Sequence, residues 1–320
     1  MRIVFIVPAF NESDSICGTI KGLQSIHERL AAEGHEARIV VIDDGSWDDT
    51  ARKARDAGAD EVIVHSRNRG LGASVRTGLE TAHLMDAEIC VKLDADLQHD
   101  PEDIPHLIAP ILRGQADIVY GERFAKIEYR MPLVRRWGNQ IFTSFMRRLT
   151  GWPVKDSQPG IFAVHASYLN IFDIPGDYNY TQQIMLDAYL KGMRFAQVPV
   201  SFRQRRTGQS FITLRYPFET IMQIILVICI SKPMAICFPV GLALIASAST
   251  VFSFQIIEWA AGFSSRPVQN VMLALGMAVF GIQMLLFGIL AKLIMLSWRR
   301  GPRTSRPGSA AIGSSVRRPV

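Results

Sequence analysis

Val91-Lys92-Leu93-Asp94-Ala95-Asp96-Leu97-Gln98-His99-Asp100-Pro101 begins as an apolar strand and ends in acids, an amide and a proline. On an extended chain, residues two apart project to one side, so Asp94 and Asp96 are expected to point the same way. Two carboxylates and the amide oxygen of Gln98 at the mouth of a buried strand form a hard, oxygen-rich site. Such a site suits Mg²⁺ or Mn²⁺ carried in with a phosphorylated ligand. A hard cation prefers oxygen, so His99 is not counted among its ligands. A plain strand followed by an acidic turn has the same wording, and the flanking chain has to decide.

Upstream, one pattern repeats. Arg2–Val7 is a short β-branched run that reads as a buried strand. Pro8-Ala9-Phe10-Asn11-Glu12 ends it, Ser13 or Asp14 can cap a helix, and Gly34 is the expected stop. Ala37–Ile42 is a second strand, running into Asp43-Asp44-Gly45-Ser46-Trp47-Asp48-Asp49 and a helix to about Ala57. Glu61–His65 is a third, followed by Arg67-Asn68-Arg69-Gly70-Leu71-Gly72 and a helix to about His83. Glu88–Leu93 is the fourth and delivers the acidic stretch. This alternation predicts a parallel sheet with right-handed crossovers, whose ligand sits beyond the carboxyl ends of the strands. Phe10, Glu12, Asp43, Asp44, Asp94 and Asp96 all fall at that edge. A nicotinamide-binding domain would carry Gly-x-Gly-x-x-Gly after the first strand. Pro8–Glu12 has no glycine, and the glycines of Asn68–Gly72 follow the third strand, where they read as turn and packing residues.

The 320 residues suffice for one large domain or two ordinary ones. Hydrophobic residues make up 48% and concentrate from Phe218 to Trp298. The net charge of +6 is also uneven: Arg299, Arg300, Arg303, Arg306, Arg317 and Arg318 follow Trp298 with no acid among them. Basic residues border apolar runs and are not interleaved with aromatics, so a membrane surface is the expected partner and nucleic acid is not. Cys17, Cys90, Cys229 and Cys237 form no Cys-x-x-Cys pair, which indicates neither a zinc site nor a disulfide framework. A secretory leader is not expected, because the first apolar run stops at Pro8 and Glu12.

Pro8–Glu12, Asp43-Asp44-Gly45-Ser46, Asn68–Gly72 and Asp94-Ala95-Asp96-Leu97-Gln98 stand in the order and spacing of family 2 glycosyltransferases with the GT-A fold. The wording of Asp94–Pro101 most resembles dolichol-phosphate mannose synthases and related polyprenyl-phosphate glycosyltransferases. The resemblance covers roughly residues 1–210 and, more loosely, the apolar half. It implies a Rossmann-like, mainly parallel α/β domain and a nucleotide diphosphate sugar as donor. Pro8, Phe10, Glu12, Ile42 and Asp44 would line the nucleoside pocket. Asp94, Ala95, Asp96 and Gln98 would meet the diphosphate, with Asp94, Asp96 and Gln98 holding Mg²⁺ or Mn²⁺. The leaving group is a nucleoside diphosphate, and a metal acting as Lewis acid and template neutralises its developing charge.

Further on, Ala116–Tyr120 predicts a fifth strand leading to Gly121-Glu122-Arg123, similar to the family's Gly-x-Arg element. A helix from about Pro132 carries Arg135, Arg136, Trp137 and Asn139. A guanidinium binds phosphate through two donors. Arg123 with Arg135 or Arg136 is therefore the expected clamp on an acceptor phosphate, against the plain reading of surface arginines at a helix start. Lys155–Phe162 stands in place of the family's Asp-x-x-Ser-Gly-Phe-Arg. Asp156 and Gly160 are kept, Pro159 replaces the serine, and no arginine follows Ile161. Tyr178–Gln183 departs furthest. Relatives usually carry an acid there, and in hydroxyl-glycosylating relatives an aspartate acts as general base, whereas this chain has Gln182 and Gln183. A sugar hydroxyl needs a base. A phosphate monoester, with a second pKa of about 6, is already largely dianionic at neutral pH. The missing carboxylate favours a lipid phosphate acceptor, with lost activity as the competing explanation. Asp187 reads as a solvated helix charge. Arg194–Val200 predicts another strand. Arg205, Gly208 and Ser210 then match the family's mobile Arg-x-x-Gly-x-Ser-Lys segment, and Phe211 stands where lysine is usual.

Tyr216–Ile230 is apolar but short and is interrupted by Ser231-Lys232-Pro233, which predicts an interfacial helix and linker over residues 213–232. Pro233–Phe254 and Val271–Trp298 are each long enough to cross a hydrocarbon core of about 30 Å. A helical hairpin buried in a soluble protein is the disfavoured alternative. Residues 299–320 read as a basic, disordered tail. By the positive-inside rule the tail and Lys232 lie on the cytoplasmic side, which puts both termini and the domain of residues 1–212 there. A homo-oligomer through the two spans is left open. Two spans do not line a polysaccharide channel, and the Gln-x-x-Arg-Trp motif of processive synthases is absent. The expectation is an inverting transfer of a hexose, of the GDP-mannose or UDP-glucose type, to a polyprenyl phosphate. The alternatives are a hydroxyl acceptor on a lipid or glycan, or a degenerate membrane scaffold.

Overall fold

The computed structural model describes residues 1–127, 133–174, 180–203, 233–268 and 271–300. The chain divides into two compact units, Met1–Pro217 and Phe218–Val320.

In the first unit, β1 (Arg2–Ala9), α1 (Ile16–Ala32), β2 (Glu36–Asp43), α2 (Thr50–Asp56), β3 (Glu61–Val64), α3 (Leu71–Leu84) and β4 (Ile89–Lys92) follow the expected alternation. Then come α4 (Ile104–Leu112), β5 (Ile118–Ile127), α5 (Leu133–Thr150), β6 (Phe162–His165), α6 (Ala166–Leu169), α7 (Tyr180–Leu190) and β7 (Phe195–Phe202). The described residues form a seven-stranded sheet in the order β3-β2-β1-β4-β6-β5-β7. β1 pairs parallel with β2 and β4, and β7 pairs parallel with β5, while β6 runs antiparallel to both its neighbours. Ile3–Ala9 and Ile89–Lys92 are buried throughout, as strands covered on both faces require. Ile16, Ile20, Leu23 and Ile26 of α1 join Leu107 and Ile108 of α4 and Ile3, Phe5 and Val7 of β1 in the main core.

Two local expectations are corrected. Helix α1 begins at Ile16, not after Ser13 or Asp14, and Ser15 turns its hydroxyl back to donate to Glu12 Oε2 (2.7 Å). The antiparallel strand β6 was missing from the sequence reading, because four residues carry too little periodicity to announce a strand. Its insertion pairs Phe162 with Lys92 and so brings the segment before it against the end of β4.

In the second unit, α8 (Pro233–Ala260) and α9 (Val271–Arg300) include apolar runs, Ile236–Ala260 and Val271–Ile294, long enough to cross a membrane. They pack antiparallel through small residues. A Cβ on Gly241 would stand 2.8 Å from the Gly281 carbonyl oxygen, and one on Gly288 would stand 2.8 Å from Cys237 Cβ. Ser249 and Thr250 donate back to Ile245 O and Ala246 O (both 2.9 Å), which satisfies their hydroxyls within the helix. The predicted interfacial helix at 213–232 and the tail from 301 lie outside the described residues.

Candidate active site

Strand β4 ends at Lys92, although Leu93 N still donates to Ile6 O (3.1 Å). Residues 95–97 turn, and Leu97 holds φ at 59°. The turn is pinned from both sides: Thr19 Oγ1 of α1 donates to Ala95 O (3.0 Å), and Asp96 Oδ1 accepts from Gln98 N (3.1 Å). Burial still alternates, with Leu93 and Ala95 buried and Asp94 and Asp96 partly open. Gln98 exchanges bonds with the end of β7. Arg203 N donates to Gln98 O (2.8 Å), and Gln98 Nε2 donates to Arg203 O (3.1 Å). With its nitrogen committed, the amide turns its oxygen the other way. Arg203 also pairs with Asp100.

Lys92, which the sequence reading passed over, is wholly buried beneath this turn. Its Nζ donates to Asp94 Oδ1 (2.5 Å) and Gly160 O (2.8 Å) and lies 5.3 Å from the Tyr180 ring centroid. Burial works against its charge, but Asp94 and Tyr180 together outweigh that and raise its pKa above the usual lysine value. The signal was present: a lysine inside Ile89-Cys90-Val91-Lys92-Leu93 must have a partner to be buried. His99 is also enclosed, its ring tilted against that of Phe202 with centroids 5.0 Å apart. Burial pushes its pKa down to about 3, so the ring is neutral.

Arg123, on β5, meets Asp156 in a fork, Nε to Oδ2 at 2.7 Å and Nη2 to Oδ1 at 3.1 Å. Asn139 Nδ2 of α5 (3.3 Å) and Gln158 N (3.0 Å) donate to the same Oδ1. Asp156 is fully buried and Arg123 nearly so. The guanidinium is covered by Phe202 (5.2 Å) and Phe124 (5.8 Å).

The loops after β1 and β2 are zipped together: Asn11 N donates to Ser46 Oγ (2.9 Å), Glu12 N to Thr50 Oγ1 (2.9 Å) and Ser13 N to Asp48 Oδ2 (3.2 Å). Phe10 meets the exposed Trp47 edge to face at 5.2 Å. Pro8 and Ile42 are register partners in β1 and β2 and are buried. Asp44 is also buried. Its Oδ1 accepts from His65 Nδ1 (2.7 Å) and Arg69 N (3.0 Å), and its Oδ2 from Gly70 N (2.7 Å). Its carboxylate thereby organises the turn after β3. Gly45, at φ 73°, lets this loop close: a Cβ there would stand 2.6 Å from the backbone carbon of Arg67.

A parallel-edge site of this construction invites comparison with known proteins, and residues 4–172 match Glycosyl transferase family 2. The chain belongs to that family. Among its family relatives, a UDP-N-acetylglucosamine–dolichyl-phosphate N-acetylglucosaminyltransferase of Methanococcus voltae is 31% identical over 53% of this chain and 71% of its own length. An undecaprenyl-phosphate mannosyltransferase of Micrococcus luteus is 28% identical over 66% of this chain and 87% of its own. Among solved structures, glucosyl-3-phosphoglycerate synthase of Mycobacterium tuberculosis, in complex with Mn²⁺, UDP and glucosyl-3-phosphoglycerate, superposes with a TM-score of 0.56 at 21% identity, covering 71% of this chain and 78% of its own. At that identity the likeness speaks for the GT-A fold.

The remaining residues pointed out by the family motifs divide into those the structure describes and those it does not. Arg135 and Arg136 fall on the first turn of α5, where the backbone alone is described, and Arg205 lies outside the described residues. Gln182 is buried, its Oε1 accepting from Thr181 Oγ1 (3.1 Å), and its Nε2 has no partner among the described residues. Asp187 is not the solvated charge expected of it. It is largely buried, accepts from Asp173 N (3.0 Å) and pairs with Lys191, and burial raises its pKa despite those partners. Among the described residues no three His, Cys, Asp or Glu side chains are gathered tightly enough to hold a metal by themselves. Asp94 and Asp96 are partly open and stand beside the Gln98 amide, an oxygen donor set of the kind that suits Mg²⁺ or Mn²⁺ completing its shell from phosphate oxygens and water.

Proposed function

We propose that this glycosyltransferase is metal-dependent and inverting, moving a hexose from a nucleotide diphosphate sugar to a polyprenyl phosphate at the cytoplasmic face of a membrane. A donor of the GDP-mannose or UDP-glucose type and a dolichyl or undecaprenyl phosphate fit the reading. The observation that carries it is the partly open Asp94–Gln98 turn at the carboxyl edge of the sheet. Relatives named for dolichyl- and undecaprenyl-phosphate transfer support the acceptor class. The two apolar helices support a membrane setting, with α8 and α9 as the anchor.

Asp94, Asp96 and Gln98 would hold the cation, which when bound neutralises charge on the departing diphosphate. Phe10, beside Trp47, offers an aromatic surface to the nucleoside, and Glu12, held by Ser15, stands next to it. Arg205 would approach the donor. Transfer is one displacement: an oxygen of the lipid phosphate forms a bond to the anomeric carbon as the bond from that carbon to the diphosphate oxygen breaks. The phosphate dianion needs no base, which suits the glutamines at 182 and 183. Arg123 would serve the acceptor phosphate only by sharing its guanidinium with Asp156, so Arg135 and Arg136 remain the other candidates for that contact.

The test supplies the full chain in membranes with labelled nucleotide sugars, Mg²⁺ or Mn²⁺, and polyprenyl phosphate. Acid-labile labelled lipid is expected from the wild type, and Asp96→Ala should lower it about a hundredfold or more, the scale of losing one charge-stabilising group. Label that survives mild acid would turn the reading to a hydroxyl acceptor. No transfer from any common donor by a folded protein would leave the scaffold.

A further inference from the structure

Helix α9 has two faces, and α8 accounts for one of them. Ala274, Gly281 and Gly288, seven residues apart, are buried, and Cβ atoms on the two glycines would press on Ile245 and Cys237 of α8. At about 100° per residue, the opposite face runs through Gly276, Gln283 and Leu290. All three are exposed, as are Val279 and Phe287 beside them.

Two residues of this face are out of keeping with a helix surrounded by hydrocarbon. Gln283 stands twelve residues after Val271 and eleven before Ile294, about 17 Å from either end of the apolar run. It is the one polar side chain between Val271 and Ala291. Its amide has no partner among the described residues. An amide carries two N–H donors and an oxygen acceptor, and lipid tails satisfy neither. Gly276 is the second. A Cβ there would meet nothing within 4 Å, so no packing against α8 requires a glycine, unlike Gly281 and Gly288. A bare backbone on an outer face gives room for another helix to come close.

The geometry of insertion names that helix. Copies of one chain enter the bilayer in one orientation, so a symmetric pair has its two-fold axis along the membrane normal. Equal residues then lie at equal depth, and a residue that faces the axis meets its own counterpart. A glutamine amide is self-complementary: each of two donates an N–H to the other's oxygen, and both are satisfied together. A polyprenyl chain has no polar atom to offer at that depth. Resting on the reading of α8 and α9 as a membrane anchor, we propose that the Gly276–Gln283–Leu290 face of α9 is a self-association surface. There Gln283 pairs with its counterpart in a second copy. One polar residue in an otherwise apolar seam also fixes the register of the two helices.

The experiment reconstitutes the full chain into phosphatidylcholine vesicles at falling protein-to-lipid ratios, with donor and acceptor fluorophores on separate copies. Energy transfer should follow a dimer dissociation curve on dilution. Gln283→Leu should shift the midpoint to about tenfold more protein per lipid, the scale of interhelical amide bonding in a bilayer. Gln283→Asn should keep most of the association, because its amide makes the same bonds. Gly276→Ile should weaken association with the glutamine intact, whereas Ile282→Phe, on the flank of the helix, should not. Energy transfer no higher than random mixing in the wild type at every ratio overturns the proposal. A Gln283→Leu curve that coincides with the wild type's does the same, as does a Gly276→Ile curve no weaker than that of Ile282→Phe. A chain that leaves the vesicles in an alkaline wash overturns the membrane reading itself.

Discussion

Removing Asp94 should destabilise the fold more than removing Lys92, although the two form one ion pair. Lys92 Nζ lies 2.5 Å from Asp94 Oδ1, yet the lysine side chain is wholly buried while the aspartate keeps 26% of its surface exposed. Breaking a buried pair costs about 3–5 kcal/mol, because the surviving charge is stranded. Asp94→Ala strands a wholly buried ammonium, left with the Gly160 carbonyl at 2.8 Å and Tyr180, whose hydroxyl bonds it and whose ring centroid lies 5.3 Å away, so a loss in that range applies. Lys92→Met strands a carboxylate that water still reaches, and the methionine fills the lysine's track. About 1–2 kcal/mol is expected there. A unit of this size loses about 2–4 °C of Tm per kcal/mol. Asp94→Ala should then melt about 6–20 °C below the wild type and Lys92→Met about 2–8 °C below. Thermal unfolding of the full chain in detergent, followed by tryptophan fluorescence, measures both, along with the double variant. The double variant's loss should fall short of the sum by about 1.5 kcal/mol or more. Equal losses in the single variants, or strict additivity in the double, would refute the reasoning.

Gly45→Ala should cost about 2 kcal/mol or more and raise the KM for the donor, because an alanine at φ 73° is strained and its Cβ would press on the Arg67 backbone; Tm and steady-state kinetics check it. Hydrogen bonds from Arg194, with its charge and Ser167, outweigh burial and hold Asp117 down to about 2. Its stabilisation is full above the usual carboxylate pKa and is lost as pH falls through about 2. Asp117→Asn should accordingly lose about 2–3 kcal/mol at pH 7, and the gap to the wild type should close between about pH 4 and 2 in acid-unfolding curves. Arg123→Lys cannot rebuild the fork on Asp156, so transfer should fall tenfold or more, with a lower Tm, and Asn139→Ala should show a milder form of both.

The first four strands were legible because each is a continuous apolar run closed by turn residues, and the parallel pattern put Asp94, Asp96 and Phe10 at one edge before any coordinate was known. The helices α8 and α9 were legible for a similar reason, as length and hydropathy are properties of a segment alone. Strand β6 was not, since Phe162–His165 is too short to carry a period, and the antiparallel insertion it makes depends on its neighbours. Asp44 was read as facing the nucleotide. Its oxygens turn to His65, Arg69 and Gly70, residues at least 21 positions away. Asp187 looked solvated because a helix carries its charge outward by default, and only the approach of Tyr168, Asp173 and Lys191 encloses it.

By itself, then, the sequence determined the alternation of strands and helices, the edge at which the acids lie, the family and the two apolar helices. All of these rest on the order of residues within short windows. Only the tertiary structure decided which side chains face one another: Lys92 with Gly160, 68 positions apart, and Arg123 with Asp156, 33 apart. His99 belongs to the same class, because a histidine beside an acidic turn has no assigned partner in sequence. It meets Phe202, on β7, and that encounter is set by the packing of the whole sheet.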